Sequence, residues 1–239
     1  MTASPRIDRA PDALRDVRIQ RNAAPYAEGS CIIHTGRTQV LCTASVQASV
    51  PDWRRGSGKG WVTAEYAMLP RATHTRSRRE RGTLGGRTQE IQRLIGRALR
   101  ACIDLEALGE RSILIDCDVI VADGGTRTAS ITGAAIALND ACAWMIEQGM
   151  ITTSPIRELV AATSVGIVDG EPRLDLEYTE DVRADVDMNL VALESGRLVE
   201  VQGTAEHQSF SPDELQALLA IGLPGIHQLI GHQRAALGT

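Results

Sequence analysis

The sequence predicts an α+β fold in which strand pairs followed by a long helix occur in both halves of the chain. Two β-rich runs flank a glycine turn within residues 30–46, and similar strand pairs recur at 162–178 and 188–202. A long apolar helix pattern follows the strands in each half. The internal sequence identity is too low to prove a duplication, but the pattern predicts one domain of two repeats, at about residues 15–145 and 160–237.

Composition limits the class of protein. The chain has 239 residues and is 43% hydrophobic but only 3% aromatic, so Val, Ile, Leu and Ala must build most of the core. The net charge of −5 argues against a wholly basic nucleic-acid binder. Five scattered cysteines without CxxC spacing predict buried thiols in a reducing compartment, with neither zinc nor disulfides. With no signal peptide and no apparent apolar run of membrane length, we expect a soluble, cytoplasmic protein.

Three helices are predicted from apolar periodicity. Residues 88–106 carry an uninterrupted apolar stripe, and residues 128–148 repeat that spacing up to a stop at Gly149. The third helix begins at Ser211, where Ser-Pro-Asp-Glu forms a capping box with proline at the first helical position. Its apolar residues keep one phase across Pro224, which favours a single kinked helix; two shorter helices are the alternative.

The first chemical signal is a glycine turn. A predicted buried strand at 118–122 leads into Asp123-Gly124-Gly125, and a helix begins near 126–128. Such a turn approaches a ligand closely and presents the unpaired N–H groups of the helix start. Thr126 and Arg127 add a hydroxyl and a guanidinium that suit phosphate. Taken alone, the turn is equally well explained as a connector between two elements.

A basic segment at residues 71–87 is the second signal. It holds six arginines, among them Arg71, Arg76, Arg78 and Arg79, against one acid in a chain that is acidic overall. A solvated surface loop explains it. An RNA backbone explains it too, because guanidinium groups pair with phosphate in a bidentate way.

The third signal is an acidic cluster that lies between two predicted strands. Carboxylates so close together repel one another, so solvent or a cation must relieve them. Hard oxygen ligands with room for water and phosphate suit Mg²⁺ or Mn²⁺, and an exposed acidic turn is the plain alternative. The five acids of this cluster are Glu177, Glu180, Asp181, Asp185 and Asp187.

Several sequence blocks together resemble the bacterial ribonuclease PH family, which belongs with polynucleotide phosphorylase and the exosome ring proteins. The similar blocks extend over nearly the whole chain, and in combination they are far more specific than one glycine turn. They are Ala27-Glu-Gly-Ser30, residues 40–46, 60–66 and 68–73, Gly86-Arg-Thr88 with the helix after it, Asp116-Cys-Asp118, residues 122–128, Glu180-Asp181, Asp187-Met-Asn189 and residues 201–206.

The resemblance implies a phosphate-dependent 3′-to-5′ exoribonuclease that trims tRNA precursors, with a role in tRNA and rRNA processing. It releases nucleoside 5′-diphosphates, and the reaction is reversible. The implied fold is of the ribosomal protein S5 domain 2 type, and the implied assembly is a homohexameric ring built as a trimer of dimers.

The resemblance also implies roles for particular residues. Phosphate is held by Arg87, Gly125, Thr126 and Arg127. Asp181 and Asp187 hold Mg²⁺ or Mn²⁺ and act in catalysis together with Arg127, and the general acid is one of the aspartates or metal-bound water. From the charge of the basic segment itself, we expect Arg71, Arg76, Arg78 and Arg79 to contact RNA, with a neighbouring subunit or solvent as the alternatives.

Two other classes of function compete with this interpretation. A non-catalytic RNA-binding ring subunit typically loses the phosphate arginine or the aspartates, and this chain keeps them. A metal-dependent hydrolase could use the acidic cluster, but it has no need of a seat for a free anion.

Overall fold

The computed structural model describes residue 6 and residues 8–80, 82–206 and 209–239. Within these ranges the first half of the chain forms β1 (Val17–Arg21), β2 (Gly29–Thr35), β3 (Thr38–Gln47), β4 (Trp61–Met68), α1 (Gly86–Cys102), α2 (Leu105–Leu108), β5 (Ser112–Val121) and α3 (Thr126–Glu147). The second half forms β6 (Val160–Val168), β7 (Glu171–Leu174), α4 (Tyr178–Asp181), β8 (Val186–Leu193), β9 (Leu198–Ala205) and α5 (Pro212–Leu237).

The strands form two sheets, one from each half of the chain. The first has the order β1-β2-β3-β5-β4 and is antiparallel except for the pair β4 and β5. The second is antiparallel throughout, in the order β7-β6-β8-β9. The predicted hairpin turns at 35–37, 169–170 and 194–196 lie between paired strands, which confirms the α+β class.

Helix α3 is the core helix of the molecule. It contacts β2, β3 and β5 of the first sheet and β6 of the second, so residues are buried around most of its circumference. The expectation that no stretch has the length and apolar character of a membrane span needs correction, because α3 is long and apolar enough to cross a membrane. About 78% of its most apolar window is buried inside the protein, so its apolar character serves the core.

The first long helix is shorter than its apolar stripe predicts. Helix α1 ends at Cys102, because Ile103 forms a β-bridge with Ile156 instead of continuing the helix. The Asp104 side chain then accepts N–H groups of the next turn and begins α2. The apolar spacing continues through this break, which is why periodicity alone did not detect it.

The last helix is one continuous element with Pro224 inside it, so the alternative of two shorter helices is wrong. Its start is the predicted capping box at Ser211. Near its end, the fully buried Gln233 donates hydrogen bonds of 2.9 Å to the carbonyls of Thr132 in α3 and Val160 in β6. Helix α5 is therefore tied to both halves of the protein.

A buried ion pair joins the two halves. Arg15, which precedes β1, forms a bidentate pair with Asp175 after β7, with distances of 3.0 Å from Nε to Oδ2 and 2.7 Å from Nη2 to Oδ1. Its Nη1 also donates to the carbonyl of Asp123 at 2.6 Å. Burial raises the pKa of Asp175, but the charge and hydrogen bonds of Arg15 outweigh burial and hold that pKa below its usual range.

The strand predicted to run to residue 178 ends at Leu174, because Asp175 adopts a positive φ of 54° to meet Arg15. The short helix α4 follows, inside the acidic stretch that was expected to connect two strands. The boundaries of the two expected repeats, about 15–145 and 160–237, stay a prediction.

We expect Asp175→Asn to lower the free energy of unfolding by about 3 kcal/mol, because it leaves the Arg15 charge buried without a counterion. Asparagine tolerates positive φ, so the change tests the ion pair and not the backbone. Asp16→Asn is the matched control: its pair with Arg18 has side chains 69% and 75% exposed and should contribute less than about 0.5 kcal/mol. Equal losses in urea denaturation would contradict the importance of the buried pair.

Candidate active site

A cleft of about 410 Å³ lies where the two halves meet. Its lining brings together the glycine turn, the start of α1, the end of α4 and one face of β8. All the predicted phosphate and metal residues line it: Arg87, Gly125, Thr126, Arg127, Asp181 and Asp187. Residues far apart in sequence therefore share one cavity.

The glycine turn forms one wall of the cleft. Gly124 and Gly125 have φ values of 76° and 65°, which side chains disfavour. A Cβ atom on Gly124 would lie 2.4 Å from the Leu176 carbonyl oxygen and 2.8 Å from the Tyr178 nitrogen. Only glycine therefore allows the turn to pack against the segment that leads into α4. This close packing sets the distance between the two walls.

Contacts behind the turn hold it in place. The Thr38 hydroxyl donates to the Gly124 carbonyl at 2.7 Å and accepts the Asp123 N–H at 2.9 Å. Arg15 binds the Asp123 carbonyl, as described above. Gly125 is the N-cap of α3 and has no capping side chain, so the first N–H groups of this helix face the cleft unpaired by a cap. Those groups and the helix dipole favour an anion there.

The positively charged side of the cleft has two arginines, one exposed and one fixed by contacts with neighbouring side chains. Arg87 lies in the first turn of α1 and is exposed. The Arg127 side chain is 15% exposed, and its Nη1 lies 3.2 Å from Gln202 Oε1 and 3.6 Å from Glu90 Oε1. Arg127 is thus oriented by one residue from α1 and one from β9. Next to it, the Thr126 hydroxyl forms a 2.9 Å hydrogen bond with the buried hydroxyl of Tyr66.

The anionic side consists of two aspartates. Asp181 ends α4, and Asp187 is the second residue of β8. Burial, followed by the charge of Asp181, raises the pKa of Asp187 to about 6. Burial also raises the pKa of Asp181, although the charges of Arg87 and Arg127 oppose that shift. Two carboxylates facing one cavity destabilise each other when both are ionised.

The remaining acids of the predicted cluster do not line this cleft. Glu180 is buried, and it forms ion pairs with Arg6 at 2.7 Å, Arg173 at 3.2 Å and Arg9 at 3.4 Å. Its side chain also closes a capping box at the start of α4. The expectation that solvent or a cation relieves the whole cluster is therefore wrong for Glu180, because arginines compensate its charge.

The two aspartates fit a magnesium site that is shared with substrate. Among the described residues, no group of three or more His, Cys, Asp and Glu side chains is arranged to hold a metal ion. Mg²⁺, however, is commonly bound by one or two carboxylates together with water and substrate phosphate. Burial and then the charge of Asp181 raise the pKa of Asp187, and a cation bound beside the two carboxylates would offset this penalty on their charged forms.

The basic segment adjoins the cleft. Arg71, Arg76, Arg78 and Arg79 are exposed and make no ion pair within the described part of the chain, and Arg81 lies outside the described residues. Arg78 and Arg79 line a second cavity of about 450 Å³, which shares Met68 and Arg87 with the cleft. The segment therefore offers free positive charge next to the candidate site.

Sequence reasoning missed several residues of the site. Arg15 and Asp175 support the turn but lie 160 positions apart, and no local pattern connects them. Tyr66 supports Thr126 from β4, and it was assigned no role at the site from the sequence. His74, Ser164 and Tyr178 also line the cleft without any motif that marks them.

Comparison with known families identifies the chain as a 3′ exoribonuclease. Residues 13–143 match the 3′ exoribonuclease family, domain 1, and residues 158–225 match domain 2 of that family. Ribonuclease PH of Methylorubrum populi is 59% identical over 231 residues, covering 96% of this chain and 98% of the relative. Ribonuclease PH of Maricaulis maris is 57% identical over 231 residues, covering 96% and 97%. The chain belongs to the ribonuclease PH family, whose members are phosphorolytic 3′-to-5′ exoribonucleases and nucleotidyltransferases.

Solved structures share the fold. The Archaeoglobus fulgidus exosome with RNA bound to the active site matches with a TM-score of 0.81 and 22% identity, over 95% of this chain and 91% of that one. Rice Rrp46 matches with a TM-score of 0.77 and 21% identity, over 97% and 99%. These matches confirm the predicted fold class, a duplicated α+β unit of the S5 domain 2 type.

Lowering the pH should test the two aspartates. Because the pKa of Asp187 is about 6 in the folded chain and near 3.8 when unfolded, its charge destabilises the fold above pH 6. Without divalent cations, Asp187→Asn should therefore raise the free energy of unfolding at pH 8 by about 1–3 kcal/mol. The gain should shrink as the pH falls through 6 and vanish near pH 4, where the native carboxyl is itself protonated.

Asp185→Asn is the control for this measurement, because Asp185 belongs to the same acidic stretch but does not line the cleft. Denaturation curves of the three proteins across this pH range give the comparison. A gain for Asp187→Asn that is independent of pH would contradict the assigned pKa.

Proposed function

We propose that this cleft binds inorganic phosphate beside the 3′-terminal phosphodiester of a tRNA precursor, and that this phosphate is the attacking nucleophile. The products are a nucleoside 5′-diphosphate and an RNA one nucleotide shorter. The observation that carries the proposal is that the groups of an anion seat and a pair of carboxylates line one cleft of about 410 Å³.

The anion side would hold the nucleophile. Phosphate carries close to two negative charges at neutral pH and must approach a second anion, so the main task is to neutralise and align like charges. Arg87 and Arg127 supply the positive charge. The N–H groups at Gly125 and the Thr126 hydroxyl supply directed hydrogen bonds. The Tyr66 hydroxyl can donate to Thr126, which leaves the threonine proton for phosphate.

The carboxylate side would face the scissile phosphodiester. Asp181 and Asp187 are the residues that would hold Mg²⁺ or Mn²⁺, which when bound supplies positive charge to the phosphoryl oxygens. One of these two carboxyl groups would also supply the proton that the departing 3′-oxygen needs. A carboxyl group with a pKa near 6 serves this role better than one near 4, because it carries a proton at lower cost at neutral pH.

Phosphate attack in line with the departing oxygen needs no covalent enzyme intermediate. The reaction exchanges a phosphodiester for a pyrophosphate bond of similar energy, so the same site can also add nucleotides from nucleoside diphosphates. A hydrolase would use water as its nucleophile, and water does not require the arginines and the glycine turn for binding.

The RNA and the assembly extend this proposal beyond one chain. The exposed arginines at 71, 76, 78 and 79 would bind the RNA backbone outside the cleft or contact a neighbouring subunit. Likeness to the archaeal exosome core supports a ring, here a homohexamer built as a trimer of dimers. Five buried free thiols support a reducing location, for which we propose the cytoplasm.

Phosphate dependence tests the reaction directly. We expect RNA with a free 3′ end to be shortened only when inorganic phosphate is present, and chromatography should identify nucleoside diphosphates as products. Nucleoside monophosphates formed in phosphate-free buffer would instead support the hydrolase. In the same assay, Arg127→Ala should lower the efficiency with phosphate by roughly 100-fold or more while RNA binding is largely kept. Arg183→Ala removes an exposed arginine outside the cleft and is the control.

The basic segment should determine how RNA binding responds to salt. Replacing Arg76, Arg78 and Arg79 by Ala should weaken binding and reduce the slope of log K against log salt by about 2, because each phosphate contact to a single strand contributes about 0.7. The control replaces Arg18, Arg157 and Arg234, exposed arginines that already pair with carboxylates. If both triple variants lose the same affinity, the overall positive charge of the surface, and not this segment, accounts for RNA binding.

A further inference from the structure

Two aromatic side chains stand at the cleft and have no role in the chemistry described above. We propose that Tyr178 and His74 form a stacking platform for the base of the 3′-terminal nucleotide. This inference rests on the proposed function, because it concerns how the terminal nucleotide is positioned for phosphate attack.

The geometry suits a flat ligand. The ring centroids of His74 and Tyr178 are 6.5 Å apart and the ring planes are inclined by 54°. Tilted aromatic pairs with centroids roughly 4.5–7 Å apart are in direct contact. The two rings therefore form one joined aromatic surface, and a base would stack on its exposed side.

Both rings are exposed, so neither serves to fill the hydrophobic core. Tyr178 is 49% exposed and His74 is exposed as well, yet both line the cleft beside Arg127 and Asp187. The chain has only three tyrosines. Tyr66 is buried beneath Thr126 and Tyr26 lies away from the cleft, so Tyr178 is the one tyrosine whose ring faces it.

Tyr178 is mounted on a rigid part of the site. Its backbone nitrogen packs directly against Gly124, so the ring stands at a fixed distance from the phosphate turn. The capping box of Glu177 and Glu180 holds the start of α4, and buried arginines anchor Glu180. Asp181 lies three residues further along the same short helix. A base stacked on the Tyr178 ring would therefore lie at a defined position relative to both the glycine turn and the two aspartates.

His74 is linked to the same turn from the other side. The carbonyl of Ala72, two residues earlier, accepts the N–H of Ala122 at 2.8 Å, just before the glycine turn. The Thr73 hydroxyl donates to the Thr75 carbonyl at 2.7 Å and shapes the bend that carries His74. The platform is therefore also joined to the basic segment that continues from residue 76.

The chemistry of stacking matches the task. Every base presents a π-face, so stacking on aromatic side chains positions nucleotides without selecting among them. An enzyme that removes successive nucleotides needs this tolerance.

The test uses oligonucleotides whose terminal base reports stacking, and binding is measured without phosphate so that no turnover occurs. A terminal 2-aminopurine should lose fluorescence on binding the native protein, because stacking quenches it. Tyr178→Leu should abolish that quenching and weaken binding by about 5- to 100-fold, whereas Tyr178→Phe should preserve both. His74→Leu should reduce the quenching in part. Tyr26→Leu removes an exposed tyrosine away from the cleft and should change nothing.

An abasic terminal nucleotide supplies the second arm. If the platform exists, the native protein should bind the abasic RNA about as weakly as Tyr178→Leu binds normal RNA, and Tyr178→Leu should not distinguish the two. Equal quenching by native protein and Tyr178→Leu overturns the platform. Phosphorolysis by the native protein remains a separate measurement, so its absence would refute the proposed function while the stacking data still decide the platform.

Discussion

The packing of the glycine turn against the entrance to α4 is the constraint on which the site depends. Gly124 approaches the backbone of residues 176–178 so closely that no side chain fits between them. Arg15 reinforces this contact by binding the Asp123 carbonyl and Asp175 at the same time. One wall of the cleft comes from the first half and the other from the second, and these contacts fix their separation.

Charge compensation divides the acids and arginines of the site into two groups. Glu180 and Asp175 are buried with arginine partners, and they hold backbone in place. Asp181 and Asp187 face the cleft, where burial raises the pKa of each and the charge of Asp181 raises that of Asp187 further. The compensated ion pairs make the surrounding backbone rigid. The uncompensated negative charge at the cleft favours the binding of a cation or a proton.

Much of the site was predictable because its signals are local. The turn at 123–125 and the capping box at Ser211 are short patterns with a direct backbone meaning, and both occur as expected. The acidic cluster was visible as well, but its composition could not separate Glu180, which folding buries, from Asp187, which folding leaves at the cleft. The end of α1 at Cys102 and the pairing of Arg15 with Asp175 depend on partners more than 50 and more than 150 residues away. Such partners leave no trace in periodicity or spacing.

The span of the Arg15 pair has a consequence for the order in which the chain is made. Synthesis proceeds from the N-terminus, so Arg15 and the glycine turn leave the ribosome well before Asp175 and α4. Until those later residues emerge, the guanidinium has no buried counterion and the turn lacks the wall against which it packs. Gln233, close to the C-terminus, then secures α3 and β6 together. The two walls of the cleft can therefore pack against each other only after most of the chain has been synthesised.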